Sequence, residues 1–65
     1  MDPDATIKKF MEALLDGDHD VAREAHGDLT QWLAQGGFEP KWREPHRKLF
    51  QAFNPRTGMI DQEGL

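Results

Sequence analysis

The chain has 65 residues, no cysteine and a formal net charge of −4, with 37% hydrophobic and 31% charged residues. A chain of this length has room for one small domain, and without cysteine it forms neither a disulfide nor a cysteine-based zinc site, so its core must come from apolar packing within or between chains. It contains no run of about 18 apolar residues and its N-terminus is acidic, so we expect a cytoplasmic protein with no membrane partner.

Charge is distributed unevenly along the chain. Residues 1–39 carry nine acidic against three basic side chains, whereas residues 40–56 carry five basic against one acidic. This asymmetry favours either packing of the acidic part against the basic part or a basic docking face.

The first predicted element is an amphipathic helix over residues 3–16. Asp2 followed by Pro3 is typical of a helix N-cap and first helical position, because the carboxylate accepts free backbone N–H groups and proline has none to lose. Apolar residues then recur at helical spacing until Gly17, whose left-handed conformation suits a C-terminal cap.

A second helix is predicted over residues 19–35. Asp18 is placed to cap its N-terminus, and the adjacent Gly36 and Gly37 mark its end. Because the connection between the two helices is very short, we expect them to form an antiparallel hairpin.

The rest of the chain predicts one short helix and a tail. Pro45 suits a first helical position, which predicts a third helix over residues 45–53 that ends before Asn54-Pro55. We therefore expect a single helical domain over residues 1–53, followed by a turn and a loose C-terminal tail over 54–65.

The predicted fold class is all-α, an antiparallel helical hairpin closed by a short third helix. The inner faces of these helices supply the expected core: Ile7, Phe10, Met11, Leu14, Ala25, Leu29, Trp32, Leu33, Leu49, Phe50 and Phe53. These apolar faces exceed what three short helices readily bury alone, so we expect a homodimer, with paired hairpins in a four-helix arrangement.

Catalytic chemistry has few residues to use in this chain. The sequence contains no Ser, Cys or Tyr, and Thr6, Thr30 and Thr57 are its only hydroxyl side chains. Nucleophilic catalysis needs an activated hydroxyl, thiol or amine, so we expect a protein that is not an enzyme, with no catalytic residues and no cofactor.

One pattern is similar to part of a metal site. Asp16-x-Asp18-x-Asp20 matches the first three ligand positions of a calcium-binding EF-hand loop, but Val21 and Gly27 stand where that loop needs glycine and a bidentate glutamate. The three histidines are too widely spaced to share an ion by local sequence alone. We therefore expect no metal site, and interpret the aspartates as helix-capping residues.

Large aromatic side chains in the second half indicate a protein-binding surface. We expect Trp32, Phe38, Trp42, Phe50 and Phe53 to contribute to an apolar helix face that binds another protein. The leading hypothesis is a small non-enzymatic interaction or assembly module that associates with itself.

A different class of function is nucleic-acid binding through the basic segment at 41–56. Arg43, Arg47 and Lys48 would contact phosphates while Trp42 stacks on an unpaired base. The acidic pI of about 5.1 opposes this alternative. The segment is also interpretable as a solvated basic edge that complements the acidic hairpin.

Overall fold

A computed structural model describes residues 2–43 and 45–61 of the chain. Within them lie three helices and two very short strands, in the order α1 (Pro3–Asp16), α2 (His19–Ala34), α3 (His46–Ala52), β1 (Phe53–Asn54) and β2 (Met59–Ile60). The prediction of a largely all-α fold is confirmed. None of the helices in the described ranges has the length and apolar content needed to span a lipid bilayer.

Local capping defines both ends of α1. The backbone N–H groups of Asp4 and Ala5 donate to the Asp2 carboxylate at 3.0 and 3.2 Å, which satisfies two of the free donors of the first turn. At the other end Gly17 takes a left-handed conformation with φ 72°. The helix therefore has the bounds that the sequence predicts.

The second helix begins immediately after this turn. The Asp18 carboxylate accepts a hydrogen bond from the backbone N–H of Val21 at 3.2 Å, and the helix ends at Ala34, one residue before the predicted end. Helices α1 and α2 pack closely against each other. Ala22 and Ala25 are buried in α2, and such small side chains let two helix axes approach.

Phenylalanine rings from three elements form the centre of the core. Phe10 of α1 is fully buried and meets Phe50 of α3 and Phe53 of β1 edge-on, with ring centroids 5.4 and 5.0 Å apart. Edge-to-face contacts of this kind add about 0.5–1.5 kcal/mol to the stabilisation from burial. A single chain thus buries the phenyl rings of both Phe50 and Phe53.

The predicted core is largely confirmed. Six of its eleven members are buried, and Met11, Leu14, Trp32, Leu33 and Leu49 are partly buried at its edge. Three small residues that the sequence analysis did not include are also buried: Ala13, Ala22 and Ala52.

Residues 53–60 differ from the sequence-based expectation. Helix α3 ends at Ala52, and Phe53 pairs with Ile60 in a two-stranded antiparallel hairpin, so this part of the chain is not a loose tail. The turn is closed because the Gly58 N–H donates to the Asn54 carbonyl at 2.8 Å and the Arg56 N–H donates to the Asn54 side chain at 2.9 Å. The predicted tail at 62–65 lies outside the described residues.

Candidate interaction surface

The aromatic residues predicted to bind a partner do not form one surface. Phe50 and Phe53 lie in the core of the single chain, and Trp42 is partly buried with its ring 5.4 Å from that of Phe50. The phenyl rings of Phe50 and Phe53 are therefore not available at the surface of one chain.

Trp32 and Phe38 form a separate pair at the end of α2. Their rings meet edge-on at 5.5 Å, and the Trp32 indole N–H donates to the Phe38 carbonyl at 2.9 Å. The backbone of Gly37 passes so close to the indole of Trp32 that a Cβ atom there would overlap the ring. The 36–38 segment thus covers Trp32, while the Phe38 side chain remains 65% exposed.

A groove runs along one side of α1. Its lining comes from α1 and from Lys41, Arg43 and His46, and its volume is about 560 Å³. Ile7, Met11 and Leu15 form its apolar floor. We call this feature the α1 groove, and its volume falls in the range of roughly 300–1,000 Å³ that is typical of binding sites.

The floor of the α1 groove is covered at one end and open at the other. Ile7 is buried and Met11 is half-buried, whereas Leu15 is 86% exposed. Leu15 lies eight residues after Ile7 on the same side of the helix, so the apolar stripe of α1 extends beyond what α2 and α3 cover.

The wall of the groove is held by a contact between distant parts of the chain. The backbone N–H of Lys41 donates to the Asp4 carboxylate at 2.6 Å, which fixes the 41–43 segment beside the first turn of α1. Among the described residues, the rim also carries Lys8, Arg43 and His46 and one further acidic residue, Glu12.

Among the residues that the structure describes, the cationic side chains of the rim have no carboxylate partner. Among residues 2–43 and 45–61, the ion pairs within 4 Å are Lys9 with Glu24 and Arg23 with Asp20, both outside the groove. The side chains of Lys8, Lys41 and Arg43 are therefore free to pair with a bound anionic group.

The basic residues of the nucleic-acid alternative are exposed but lack an aromatic platform. Arg43, Arg47 and Lys48 all lie at the surface. Trp42, which would stack on a base, instead packs against Phe50. This arrangement supplies the charge that phosphate binding needs without the stacking.

His26 projects from α2 into the phenylalanine cluster. Its ring centroid lies 4.6 Å from that of Phe50 and 5.0 Å from that of Phe53. Burial against these apolar rings lowers the pKa of His26 below its ordinary value of 6.5, because the charged imidazolium loses hydration there. Within the described part of the chain, no three His, Asp or Glu side chains come together as a metal site would require.

No protein-family model, curated protein or solved structure matches this chain, so its function has to follow from its own geometry. The α1 groove was not predictable from the sequence. Its one sequence signal was the width of the α1 stripe, which reaches Leu15 at the helix end, next to Asp16. The basic wall was not predictable from spacing, because Lys41 reaches α1 only through the fold.

Proposed function

We propose that this chain is a protein-interaction module that binds an apolar, acidic segment of a protein in the α1 groove. The exposure of Leu15 at the end of an apolar floor is the observation that carries this proposal. Complete burial of an exposed leucine side chain by a partner supplies about 1.5–3 kcal/mol of binding free energy. An amphipathic helix commonly binds by placing its apolar face against an open apolar surface of this kind.

The chemistry of the partner follows from the rim of the groove. Lys8, Lys41 and Arg43 surround the floor without carboxylate partners of their own among the described residues. Carboxylates of a bound segment would pair with them, while its apolar side chains cover Met11 and Leu15. Such charge complementarity increases the association rate and selects against basic partners.

The proposed module acts by binding. A sequence without Ser, Cys or Tyr offers little for nucleophilic catalysis, which supports a binding role. The groove presents cations and apolar carbon, a combination suited to holding an amphipathic anion.

Selection from a displayed library of random peptides tests this function, because it requires no partner to be named in advance. We expect the selected peptides, of about 15 residues or four helical turns, to combine apolar residues at helical spacing with Asp or Glu. Leu15→Asp should raise the Kd of a selected peptide at least about tenfold, since an aspartate cannot replace the apolar contact.

Met59→Asp is the matched control for this experiment. Met59 is 61% exposed on β2 and does not line the groove, so the same change there should leave the Kd unaltered. Failure to enrich any acidic amphipathic peptide would contradict the proposal. Equal binding by the Leu15→Asp variant would also contradict it.

A second candidate function is nucleic-acid binding, favoured by the exposure of Arg43, Arg47 and Lys48. Binding to a single-stranded oligonucleotide should then weaken steeply as salt is added, since each neutralised phosphate releases a counterion. Arg47 and Lys48 do not line the groove, so Arg47→Glu and Lys48→Glu distinguish nucleic-acid binding from peptide binding. They should abolish oligonucleotide binding and leave peptide binding intact.

A further inference from the structure

A second depression lies between the N-terminal half of α1 and the C-terminal end of α2. It is lined by Thr6 of α1 and by Asp28, Gln31, Trp32 and the C-cap residue Gln35 of α2, and its volume is about 370 Å³. None of these described residues also lines the α1 groove. We call this feature the Trp32 pocket. Its volume lies at the lower end of the range of roughly 300–1,000 Å³ that is typical of ligand sites, so it suits a small molecule.

The indole of Trp32 offers carbon atoms to this pocket. Its one polar atom, Nε1, donates to the Phe38 carbonyl at 2.9 Å, and the Phe38 ring meets the indole edge-on. The backbone of Gly37 also lies against the ring, since a Cβ atom at that position would overlap it. These contacts hold the half-buried indole in one orientation, so a ligand would bind to an apolar surface that is already in place.

Hydrogen-bonding groups that the chain itself does not use lie beside the indole. Within the described part of the chain, the exposed side chains of Asp28, Gln31 and Gln35 form no hydrogen bond or ion pair. The Thr6 hydroxyl donates to the Asp2 carbonyl at 3.0 Å, which leaves its oxygen able to accept. Amide groups both donate and accept, whereas a carboxylate only accepts. The pocket therefore combines donors and acceptors with an apolar ring.

The charge of the Trp32 pocket disfavours an anionic ligand. Asp28 is the one ionised side chain among its described lining residues, and the last carbonyl groups of α2 add partial negative charge. A single carboxylate is a poor site for a metal ion, which takes several oxygen ligands. A quaternary ammonium ion could lie on the indole, but it would leave the amides of Gln31 and Gln35 without a partner.

We infer that the Trp32 pocket binds a neutral sugar in its pyranose form. One face of a pyranose ring carries C–H groups, which pack on the carbon atoms of the indole and bury them. Its hydroxyl groups both donate and accept, so they pair with the carboxylate of Asp28 and with the amides of Gln31 and Gln35. This site is separate from the α1 groove, and its ligand goes beyond the protein segment proposed to bind there.

Proton–nitrogen correlation NMR of the full chain tests this inference, with the methyl glycosides of glucose, galactose, mannose and N-acetylglucosamine as probes. At least one probe should shift the indole N–H signal of Trp32 in a saturable manner. We expect a Kd on the order of a few millimolar, because a small ligand covered on one face gains little binding free energy. The indole signal of Trp42 is the internal reference, since that ring packs against Phe50 and does not line the pocket.

Gln31→Ala and Gln35→Ala each change an exposed side chain and should raise the Kd of the bound sugar about three- to tenfold, because each removes a hydrogen-bonding group. Gln51→Ala is the matched control, since Gln51 of α3 is also exposed but does not line the pocket, and its Kd should equal that of the wild type. The inference is overturned if none of the four probes shifts the Trp32 signal, or if the Kd is insensitive to both pocket variants.

Choline chloride distinguishes a sugar from a quaternary ammonium ligand. It should leave the Trp32 signal in place at concentrations where the sugar saturates it. A saturable shift with choline and none with the sugars would overturn the inference and assign the pocket to a cation held by Asp28. Neither result bears on peptide binding in the α1 groove, because the two sites share no described lining residue.

Discussion

The imidazole of His19 donates a hydrogen bond from Nδ1 to the carbonyl oxygen of Gly58 at 2.7 Å. A carbonyl only accepts, so this contact places the proton on Nδ1. It joins the first residue of α2 to the turn of the β-hairpin, 39 residues later in the chain. Together with the pairing of Phe53 and Ile60, the hydrogen bond holds the hairpin against the helical part of the molecule.

Gly58→Ala should destabilise the protein for two separate reasons. Gly58 has φ 73°, a conformation that costs an L-residue about 1–2 kcal/mol, and its Cβ atom would lie 2.8 Å from the Cβ of His19. The second effect displaces the turn from α2 and weakens the hydrogen bond. We expect the free energy of unfolding, measured by urea denaturation, to fall by more than the cost of the positive φ alone.

Gly36→Ala measures the cost of an alanine at positive φ without a steric clash, so it is the control for Gly58→Ala. Gly36 also has a positive φ, 87°, but a Cβ atom added there would meet no neighbouring atom within 4 Å. If the two alanine variants lose the same free energy of unfolding, a Cβ atom at position 58 does not disturb the contact with His19.

Two leucines, one buried and one exposed, allow the core and the proposed interaction surface to be tested separately. Leu29 of α2 is 0% exposed and Leu15 of α1 is 86% exposed. Leu29→Ala leaves a cavity and should lower the free energy of unfolding by about 2–5 kcal/mol. Leu15→Ala should change it by less than about 0.5 kcal/mol at low protein concentration.

Protein concentration adds a second measurement to this pair. If α1 binds a second copy, raising the concentration should stabilise the wild type but not Leu15→Ala, because binding to the folded state adds to stability by mass action. The Leu29→Ala variant should retain that concentration dependence. A large loss of stability in dilute Leu15→Ala would mean that Leu15 belongs to the core of one chain.

The helices were predictable because their ends are determined locally. Asp2, Gly17 and Asp18 cap helix ends through backbone groups only a few residues away, so sequence spacing alone indicates where the helices begin and end. The turn after residue 53 was also predictable, but the strand pairing of 53–54 with 59–60 was not, since Phe53 leaves the helix to pack against Phe10, 43 residues earlier. A contact over that separation has no local signal.

The α1 groove was hidden from sequence reasoning for the same reason. The apolar stripe on α1 was visible, but which part of it stays open depends on where Lys41, Arg43 and His46 lie. That position depends on the hydrogen bond from Lys41 to Asp4, 37 residues apart. Conversely, two of the five aromatic residues expected at a binding surface, Phe50 and Phe53, are buried in the core because one chain folds its third helix over Phe10, whereas Phe38 remains exposed.

His26 should make stability depend on pH in mildly acidic solution. Its pKa is lowered in the folded protein through loss of hydration beside the phenyl rings, so the unfolded chain binds a proton at higher pH than the folded chain does. Stability from this residue is complete above its ordinary pKa of 6.5 and is lost as pH falls from there towards the lowered folded-state pKa.

Urea denaturation at about pH 7.5 and about pH 5.5 spans the upper part of this window. His26→Asn removes the titrating ring and should reduce the difference in the free energy of unfolding between the two pH values. An unchanged difference in His26→Asn would assign the pH dependence to another group.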